Sequence, residues 1–309
     1  MKTTGNPRYP ANVTLAKIPA TRAMRYPALA VLGLALAAPA GAALLSYQVA
    51  VLDQDPYSFH RFNESSGPTA ADLSGNDRDG TYAGSPTFGI SGIGGVGTDN
   101  AVGLDGSNDY MTISDSAGLG QSLANVTFES IFRTTNTSNA NLFGTWNTGT
   151  NMAVNFEFHR SDDLHRFFLR NNSGHTLIGE FTNSDVSNGD FQHLMLAVDM
   201  SQDREDRIRI YLNGQAHSVT VSSQTSIWLG DDMDNLNLGD FAFPLAVGAR
   251  NLRGNLDRHF DGVIDEFVIY DKTLTAADAA AHWAAAIPEP STATLLALGA
   301  FAMLRRRRS

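Results

Sequence analysis

From Leu44 onward, the chain consists of short runs of alternating apolar and polar residues, separated by Gly, Asn, Asp and Ser. Alternation places every second side chain on one face of a strand, so this pattern predicts many strands joined by turns. The clearest predicted strands cover residues 126–132, 152–158, 165–169, 193–198, 208–212, 244–248 and 262–270. We therefore expect an all-β fold, either a β-sandwich or a jelly roll.

Two local patterns predict how strands and helices end. Asn213 and Gly214 suit a type I′ hairpin because both positions require positive φ, so residues 215–221 are predicted to return as the partner strand. Thr275, followed three residues later by Asp278, predicts the N-cap of an alanine-rich helix that extends through Trp283. This is the only helix that the pattern predicts in the mature chain. The Gly-rich stretch 89–97 is followed by no predicted helix and indicates a mobile loop instead of a phosphate cradle.

The N-terminal region has the pattern of a signal peptide. Arg22 and Arg25 precede an apolar run over residues 28–38, and small residues follow up to Ala42. We predict that residues 1–42 are a signal peptide and that signal peptidase cuts after Ala42. The run is shorter than the roughly 20 apolar residues that a transmembrane helix needs. A chain begun at Met24 would also carry a compact signal, so Met1 and Met24 both remain possible starts.

The C-terminal region combines a proline-flanked acid, a short apolar run and a basic end. The residues are Pro288, Glu289 and Pro290, then the apolar stretch 293–304, then Arg305, Arg306, Arg307 and Arg308. Prolines end the preceding helix and keep the chain extended and accessible, while arginines hold the end of an apolar segment on the cytoplasmic side. The alternative interpretation is an ordinary tail anchor.

Residues 287–308 resemble the PEP-CTERM sorting signal. The resemblance implies recognition by an exosortase-type processing enzyme and a transient anchor in the inner membrane. It also implies delivery to the surface or exterior of a Gram-negative bacterium that makes exopolysaccharide. Residues 288–309 are therefore predicted to be a sorting tail, which leaves residues 43–287 as one domain.

Composition excludes several classes of function. Cysteine is absent, which excludes a disulfide framework, a thiolate nucleophile and a thiolate metal site. The whole chain has a net charge of −10, and its two predicted end segments hold nine basic residues, so the domain between them is more acidic still. Such a surface repels phosphate backbones and anionic lipids, so we expect no nucleic-acid partner. Divalent cations are the more natural partners.

Three blocks of this domain resemble the laminin-G-like, concanavalin A-like jelly-roll family. They cover residues 58–82, 101–113 and 260–283, and together they bracket nearly the whole domain. The resemblance implies a jelly-roll β-sandwich over residues 43–287 with a short C-terminal helix. His60 stands where the family commonly has Trp, so we make no prediction for its part in the core.

Asp and Asn residues in the first and last of these blocks suggest a metal site. Ca²⁺ takes about six to eight oxygen ligands, and carboxylates with amide oxygens supply them. If the sandwich brings the two blocks together, a structural Ca²⁺ is predicted at Asp72, Asn76, Asp79, Asp261 and Asp265. The alternative is that Asp and Asn are present because tight turns favour them. The acidic stretch at Asp231, Asp232, Asp234 and Asp240 predicts a solvated loop.

The sequence favours a binding module over an enzyme. Glycosidases need two carboxylates roughly 5 to 9.5 Å apart, and only Glu129 and Glu157, both flanked by aromatic residues, suggest such a pair. We assign no catalytic residue and expect a module that binds an exopolysaccharide, another surface glycan or a protein. Trp146 and Trp228, both near turns, are the predicted ligand-binding residues. Two alternatives remain, a glycoside hydrolase or lyase on this fold and a structural matrix protein without a discrete ligand.

Overall fold

The computed structural model describes residues 40–94, 99–113, 124–147, 152–161, 163–171, 176–224 and 244–287. The described elements, in chain order, are α1 (Ala40–Leu52), β1 (Ser58–His60), β2 (Thr69–Ala70), β3 (Gly80–Ala83), β4 (Thr87–Ser91), β5 (Asn100–Asp105), β6 (Tyr110–Ile113), β7 (Asn125–Arg133), β8 (Ala140–Asn147), β9 (Met152–Ser161), β10 (Leu164–Arg170), β11 (Thr176–Thr182), β12 (Gln192–Asp199), β13 (Ile208–Leu212), β14 (Gln215–His217), β15 (Thr220–Gln224), β16 (Leu245–Val247), β17 (Arg250–Leu252), β18 (Asn255–Asp257), β19 (Asp261–Tyr270) and α2 (Ala276–Ala286).

Within these residues the strands form two sheets. Sheet A has the order β14-β13-β12-β7-β19-β5-β4, with β1 also paired to β19. Sheet B has the order β15-β11-β10-β9-β8-β16-β6-β3-β2, and the β17-β18 hairpin joins it at β8. All strand pairs are antiparallel except β17 with β8. The predicted all-β sandwich class is therefore confirmed.

Aromatic residues fill the space between the two sheets. Phe128 of sheet A stacks on Phe143 of sheet B with ring centroids 4.7 Å apart, and Phe267 of sheet A lies 5.4 Å from the same ring. All three rings are buried. Burying one such side chain contributes about 1.5 to 3 kcal/mol, so a core of this size can hold the fold together without disulfides.

The outer face of sheet A forms a second apolar layer, which the two helices cover. Ile131, Met195 and Val268 on the sheet belong to one buried cluster with Tyr47 and Val51 of α1. Residues from α2 complete this cluster, including Ala279 and Ala286. The sandwich therefore has helices on one outer face and a hairpin on the opposite sheet.

One helix matches the prediction and the other corrects it. At α2, Thr275 and Asp278 form the predicted reciprocal capping box. We expected short strands from Leu44 onward and no second helix, but residues Ala40–Leu52 form α1. That prediction was wrong because this segment is apolar almost throughout and rich in Ala and Leu, so it lacks the alternation of a half-buried strand.

The predicted hairpin is present, with a shorter return strand. Asn213 and Gly214 have φ values of 50° and 73°, as a type I′ turn requires. Only Gln215–His217 pairs with β13, because the chain then leaves sheet A and Thr220–Gln224 pairs with β11 at the edge of sheet B. Val219 and Val221 pack against the main core, and these apolar contacts stabilise the segment that passes from sheet A to sheet B.

A β-bulge interrupts the closing strand β19. Ile264 pairs with Phe132 and Glu266 pairs with the next residue of β7, Ile131, so Asp265 has no partner of its own. Neighbouring residues of a regular strand point to opposite faces, and a bulge breaks that alternation. Asp265 and Glu266 are both completely buried.

Candidate functional site

Sheet B turns a polar face away from the core. In β9, Val154, Phe156 and Phe158 belong to the core, so Asn155 and Glu157 lie on the opposite face. The strand registers extend this face across Asn141, Gly144 and Trp146 of β8, Arg166, Phe168 and Arg170 of β10, and Ile178 and Glu180 of β11. We call this surface the Trp146 face.

Trp146, one of the two predicted ligand-binding residues, lies within β8 on this face. Its ring stacks on that of Phe168 with centroids 5.3 Å apart, and the Arg250 guanidinium lies 5.5 Å from the indole centroid. Both rings are partly exposed. A Cβ at Gly144 would lie 2.8 Å from the Asn155 Cβ, so glycine at this position leaves room for Asn155 of the neighbouring strand.

Several buried polar atoms on this face have no hydrogen-bond partner among the described residues. They are the Trp146 Nε1, the Asn155 Nδ2, the Asn141 Oδ1 and the Arg170 Nε. The two amides bond each other through their remaining atoms, with the Asn141 Nδ2 donating to the Asn155 Oδ1 at 3.4 Å. Buried polar groups are nearly always satisfied in proteins, so a concentration of open ones calls for an explanation.

Arginines and carboxylates are interleaved on the same face. Arg166 donates to Glu180 at 2.9 Å, and Arg250 forms a two-bond pair with Asp257 at 2.8 and 2.5 Å. Glu157 is buried and accepts bonds from Arg258 and, at 3.2 Å, from Arg160. Arg170 has no carboxylate partner within the described part of the chain.

A second polar cluster lies under the helices, around Glu129 of β7. The Glu129 Oε1 accepts from the Tyr47 hydroxyl at 3.0 Å and pairs with the His193 Nε2 at 2.8 Å. The Oε2 accepts from the Tyr270 hydroxyl at 2.8 Å, and the His282 Nδ1 lies 3.0 to 3.1 Å from both oxygens. We call these five residues the Glu129 cluster, and all of them are buried.

The cluster holds a buried ion pair. Burial by itself raises the pKa of the Glu129 carboxyl, but the charge of His282 and the bond from His193 hold that pKa well below its ordinary value. For His282, burial lowers the pKa, yet Glu129 raises it above its ordinary value overall. Burial and the charge of Glu129 raise the pKa values of Tyr47 and Tyr270 far above normal. Glu129 is therefore ionised and its four partners act as donors.

The structure separates Glu129 from Glu157. Glu129 lies on the outer face of sheet A under the helices, and Glu157 lies on the outer face of sheet B. The main core lies between them, and packed sheets alone are about 10 Å apart. The suggested pair of Glu129 and Glu157 is therefore too far apart to flank one glycosidic bond.

The first predicted metal ligands form a tight loop. The Asp72 carboxylate accepts bonds from the backbone N–H groups of Phe59, Ser74 and Arg78 and from the Ser74 hydroxyl, at 2.7 to 3.0 Å. Asp79 accepts from the Asp72 N–H at 2.8 Å, and the Asn76 amide donates to two backbone carbonyls. Protein donors already surround the Asp72 carboxylate, so these contacts fit the alternative that turn formation favours these residues.

The other two predicted ligands, Asp261 and Asp265, lie outside that loop, and their surroundings differ from each other. Asp261 is exposed, and its carboxylate accepts from the Asn136 amide at 3.4 Å. Asp265 is buried with Asp99 and Glu266, and the carboxylate oxygens that these three offer lie within 4.8 Å of one another. Sequence reasoning missed Asp99 and Glu266 because neither belongs to a recognisable ligand spacing. The alternation of acidic and apolar residues in β19 was the one signal available.

Several predicted residues lie outside the described part of the chain. These are Trp228, the acidic stretch at Asp231, Asp232, Asp234 and Asp240, residues 1–39 of the predicted signal peptide and the sorting tail from Pro288 to Arg308. The backbone of Ala42 is described, within α1. Among the described residues, no helix is both long and apolar enough to cross a membrane.

Comparison with known proteins agrees with this architecture of two antiparallel sheets. A model of the concanavalin A-like lectin/glucanases superfamily matches residues 105–280, more than half of the chain. The protein therefore belongs to the laminin-G-like branch of that superfamily, as the three sequence blocks implied. A PEP-CTERM protein-sorting motif matches residues 286–308. That motif implies recognition by an exosortase-type system, export, and a cell-surface or extracellular location.

Solved structures share the fold at low sequence identity. A receptor-binding domain aligns with a TM-score of 0.55 and 12% identity, covering 78% of this chain and 53% of that one. The binding domain of botulinum neurotoxin DC in complex with rat synaptotagmin II aligns with a TM-score of 0.52 and 12% identity, covering 76% of this chain and 52% of that one. This chain thus spans about half the length of those two proteins.

A third match covers nearly all of its relative. Domain 4 of AbnA, a GH43 extracellular arabinanase from Geobacillus stearothermophilus solved with arabinotriose, gives a TM-score of 0.50 and 18% identity. The alignment covers 74% of this chain and 97% of that domain. A comparison with curated proteins found no match.

Proposed function

We propose that this protein is an exported, non-catalytic module that binds a carboxylate-bearing glycan on the Trp146 face. The observation that carries the proposal is the concentration of four open, buried polar atoms around the Trp146 and Phe168 ring pair. A ligand that supplied their missing hydrogen bonds would relieve a cost of about 1 to 3 kcal/mol for each group. The botulinum binding domains and the arabinotriose-bound domain lend support, because proteins of this fold include binding modules.

The chemistry of the face suits a sugar. An aromatic ring stacks on the apolar face of a sugar, while a few placed polar groups fix its orientation. Here the Trp146 and Phe168 rings are partly exposed, and Arg166 and Arg170 beside them are partly exposed donors. The Trp146 Nε1, the Asn155 Nδ2 and the Asn141 Oδ1 are buried, so a ligand contacts them only where surface side chains move aside. Stacking and directional bonds are thus available within one small area.

The charges of the face favour an acidic sugar. Arg170 lies across β9 from Trp146, since both residues pair with Ala153, and its Nε is one of the open donors. A guanidinium binds a carboxylate through two parallel hydrogen bonds, which a neutral hydroxyl cannot reproduce. The net charge of −10 over the whole chain disfavours an anionic ligand elsewhere on the surface, so an anionic ligand would have to bind where a guanidinium such as that of Arg170 is present.

The state of the carboxylates supports binding without hydrolysis. A glycosidase needs one carboxylic acid that can donate a proton to the leaving oxygen. On this face Glu157 and Glu180 are both engaged by arginines, Glu157 by Arg258 and Arg160 and Glu180 by Arg166. Guanidinium groups therefore occupy both carboxylates, an arrangement that suits a face that holds a ligand.

Delivery follows from the two ends of the chain. Signal peptidase cuts after Ala42, which keeps Tyr47 and Val51 attached to the domain, and exosortase-type processing removes the tail near Pro288. Tyr47 donates to Glu129 and Val51 is buried, so the retained part of α1 remains in its place. The exported domain then binds acidic exopolysaccharide at the cell surface.

A glycan array with the full-length chain in non-ionic detergent tests this function. The array should carry uronate-containing polymers such as polygalacturonate and alginate beside neutral arabinan and dextran. We expect retention on the uronate polymers and no release of reducing ends during prolonged incubation. Release of reducing ends would show an enzyme instead, and a blank array would favour the structural matrix protein.

A further inference from the structure

We infer that Asp99, Asp265 and Glu266 form a buried Ca²⁺ site between the Gly92–Gly94 loop and the bulge of β19. Of the five ligands predicted from sequence, only Asp265 belongs to this set. The inference is independent of the proposed glycan binding, because it concerns a different part of the molecule. Its supporting observations are the positions of the carboxylate oxygens, their unused hydrogen-bonding capacity and the net charge of the cluster.

One oxygen of each carboxylate accepts a hydrogen bond that holds the group in place. Arg61 donates from Nη2 to the Asp99 Oδ1 at 2.9 Å and from Nε to the Glu266 Oε1 at 3.3 Å. The Ile93 N–H donates to the Asp265 Oδ2 at 2.7 Å. These bonds fix the orientation of all three groups, so a cation would meet a pre-arranged set of ligands.

The second oxygens are left to face one another. The Asp265 Oδ1 and the Glu266 Oε2 are buried and have no hydrogen-bond partner among the described residues, and both side chains are completely inaccessible to solvent. The Asp99 Oδ2 accepts a bond from the Gly94 N–H at 3.2 Å, and the Asp99 carboxyl also interacts with the side chains of Asn63 and Asp265. The oxygens that the three residues offer lie within 4.8 Å of one another. Ligands of one Ca²⁺, each about 2.3 to 2.6 Å from the ion, satisfy this limit.

The charge of the cluster matches a divalent ion. If all three carboxylates were ionised, they and one guanidinium would leave two negative charges in a buried volume, which is a costly arrangement without compensation. One Ca²⁺ neutralises both. Burial raises the pKa values of Asp99, Asp265 and Glu266, so bound protons are the competing way to remove this charge.

The loop that closes the cluster has no space for a side chain. A Cβ at Gly92 would lie 2.6 Å from the Asp99 Oδ2 and closer still to the Asp265 Oδ1. The Gly92 N–H also donates to the Asp99 carbonyl at 3.2 Å. The Gly-rich stretch, predicted from sequence to be a mobile loop, therefore includes a segment that packs directly on these carboxylates.

Calorimetry of the full-length chain in detergent tests the site. The protein is first stripped with EDTA, with removal checked by elemental analysis, and then melted with EDTA, 10 mM Ca²⁺ or 10 mM Mg²⁺. Sites in extracellular modules have Kd values of about 10⁻⁴ to 10⁻³ M. At 10 mM the ion is at about 10 to 100 times Kd, so the stabilisation is about 1.4 to 2.7 kcal/mol, which corresponds to a rise of roughly 3 to 11 °C in melting temperature.

Three variants distinguish this site from others. Asp265→Asn and Glu266→Gln should abolish the Ca²⁺ shift, and in EDTA they should melt at or above the temperature of the wild type because each removes an uncompensated buried charge. Asp261→Asn, an exposed residue of the same strand, should keep the full shift. A wild type that Ca²⁺ does not stabilise would overturn the inference, as would a shift seen only with Mg²⁺ or one that persists in Asp265→Asn.

Discussion

Replacing Glu129 with glutamine removes the negative charge at the centre of the Glu129 cluster. The Glu129 Oε1 accepts hydrogen bonds from Tyr47, His193 and His282, and the Oε2 accepts hydrogen bonds from Tyr270 and His282. A glutamine keeps one acceptor oxygen but turns its amide group toward groups that are themselves donors. Glu129→Gln therefore leaves the buried His282 without its counter-ion and at least one hydroxyl without its acceptor.

The expected loss of stability is large. Breaking a buried ion pair by removing one partner costs about 3 to 5 kcal/mol. For a domain of this size, each kcal/mol lowers the melting temperature by about 2 to 4 °C, so we expect a decrease of roughly 6 to 20 °C. Calorimetry and urea denaturation of the full-length chain, both in EDTA at pH 6, measure this change.

A matched control makes the same chemical change at an exposed position. Glu205 is exposed in a short 3₁₀ turn, Arg204–Asp206, and Glu205→Gln should stay within about 0.5 kcal/mol of the wild type. If Glu129→Gln lost less than about 1 kcal/mol, the Glu129 cluster would not hold a buried ion pair and our account of the helix-covered face would be wrong.

Three further predictions concern the same two buried clusters. Tyr47→Phe should cost about 1.5 to 3 kcal/mol, because it removes a hydrogen bond to a charged group, and limited proteolysis should then cut within α1 before the rest of the domain. Gly92→Ala should cost about 1 to 3 kcal/mol in urea denaturation and abolish the Ca²⁺ shift, because the methyl group overlaps the carboxylates. The third prediction concerns pH. The pKa of Glu129 is lower in the folded protein than in the unfolded chain, where it is about 4.3. Glu129 therefore stabilises the fold at pH values above about 4.3, and this contribution disappears as the pH falls toward the folded-state pKa. The pKa of His282 is higher in the folded protein than in the unfolded chain, where it is about 6.5. His282 therefore stabilises the fold fully at pH values below about 6.5, and this contribution disappears as the pH rises through the folded-state pKa. The destabilisation by Glu129→Gln should therefore be largest near pH 5 to 6.5, and a loss that grew steadily from pH 5 to pH 9 would contradict the ion pair.

The sequence predicted those features that depend on local patterns. Alternation located β7, β9, β10, β12, β13 and β19 closely, and the hairpin and the α2 capping box followed from residues within a few positions of one another. Local patterns did not predict α1. Its sequence is apolar almost throughout, so no periodicity of apolar residues indicates which face of the helix packs against the rest of the domain. Local patterns also failed after His217, since the change from sheet A to sheet B depends on tertiary packing.

The candidate sites were harder to predict because their residues meet only in the folded chain. The partners of Glu129 come from two helices and two other strands, so no spacing in the sequence connects them. The acidic cluster depends on the bulge at Asp265, which is visible only once β7 and β19 are paired. Trp146 was predicted from its residue type and position near a turn, but Asn155 and Arg170 became candidates only through the strand registers.

The central claim is that the Trp146 face binds an acidic glycan, and a titration of the full-length chain with a uronate oligosaccharide tests it most directly. Isothermal titration calorimetry should show saturable binding that Trp146→Ala weakens at least tenfold, a change of about 1.4 kcal/mol. Phe191→Ala, which alters a partly exposed ring packed on the helix-covered side of sheet A, should leave the Kd unchanged. Equal affinities for the wild type and Trp146→Ala, or equal affinities of the wild type for the uronate and a neutral oligosaccharide of the same length, would contradict the account.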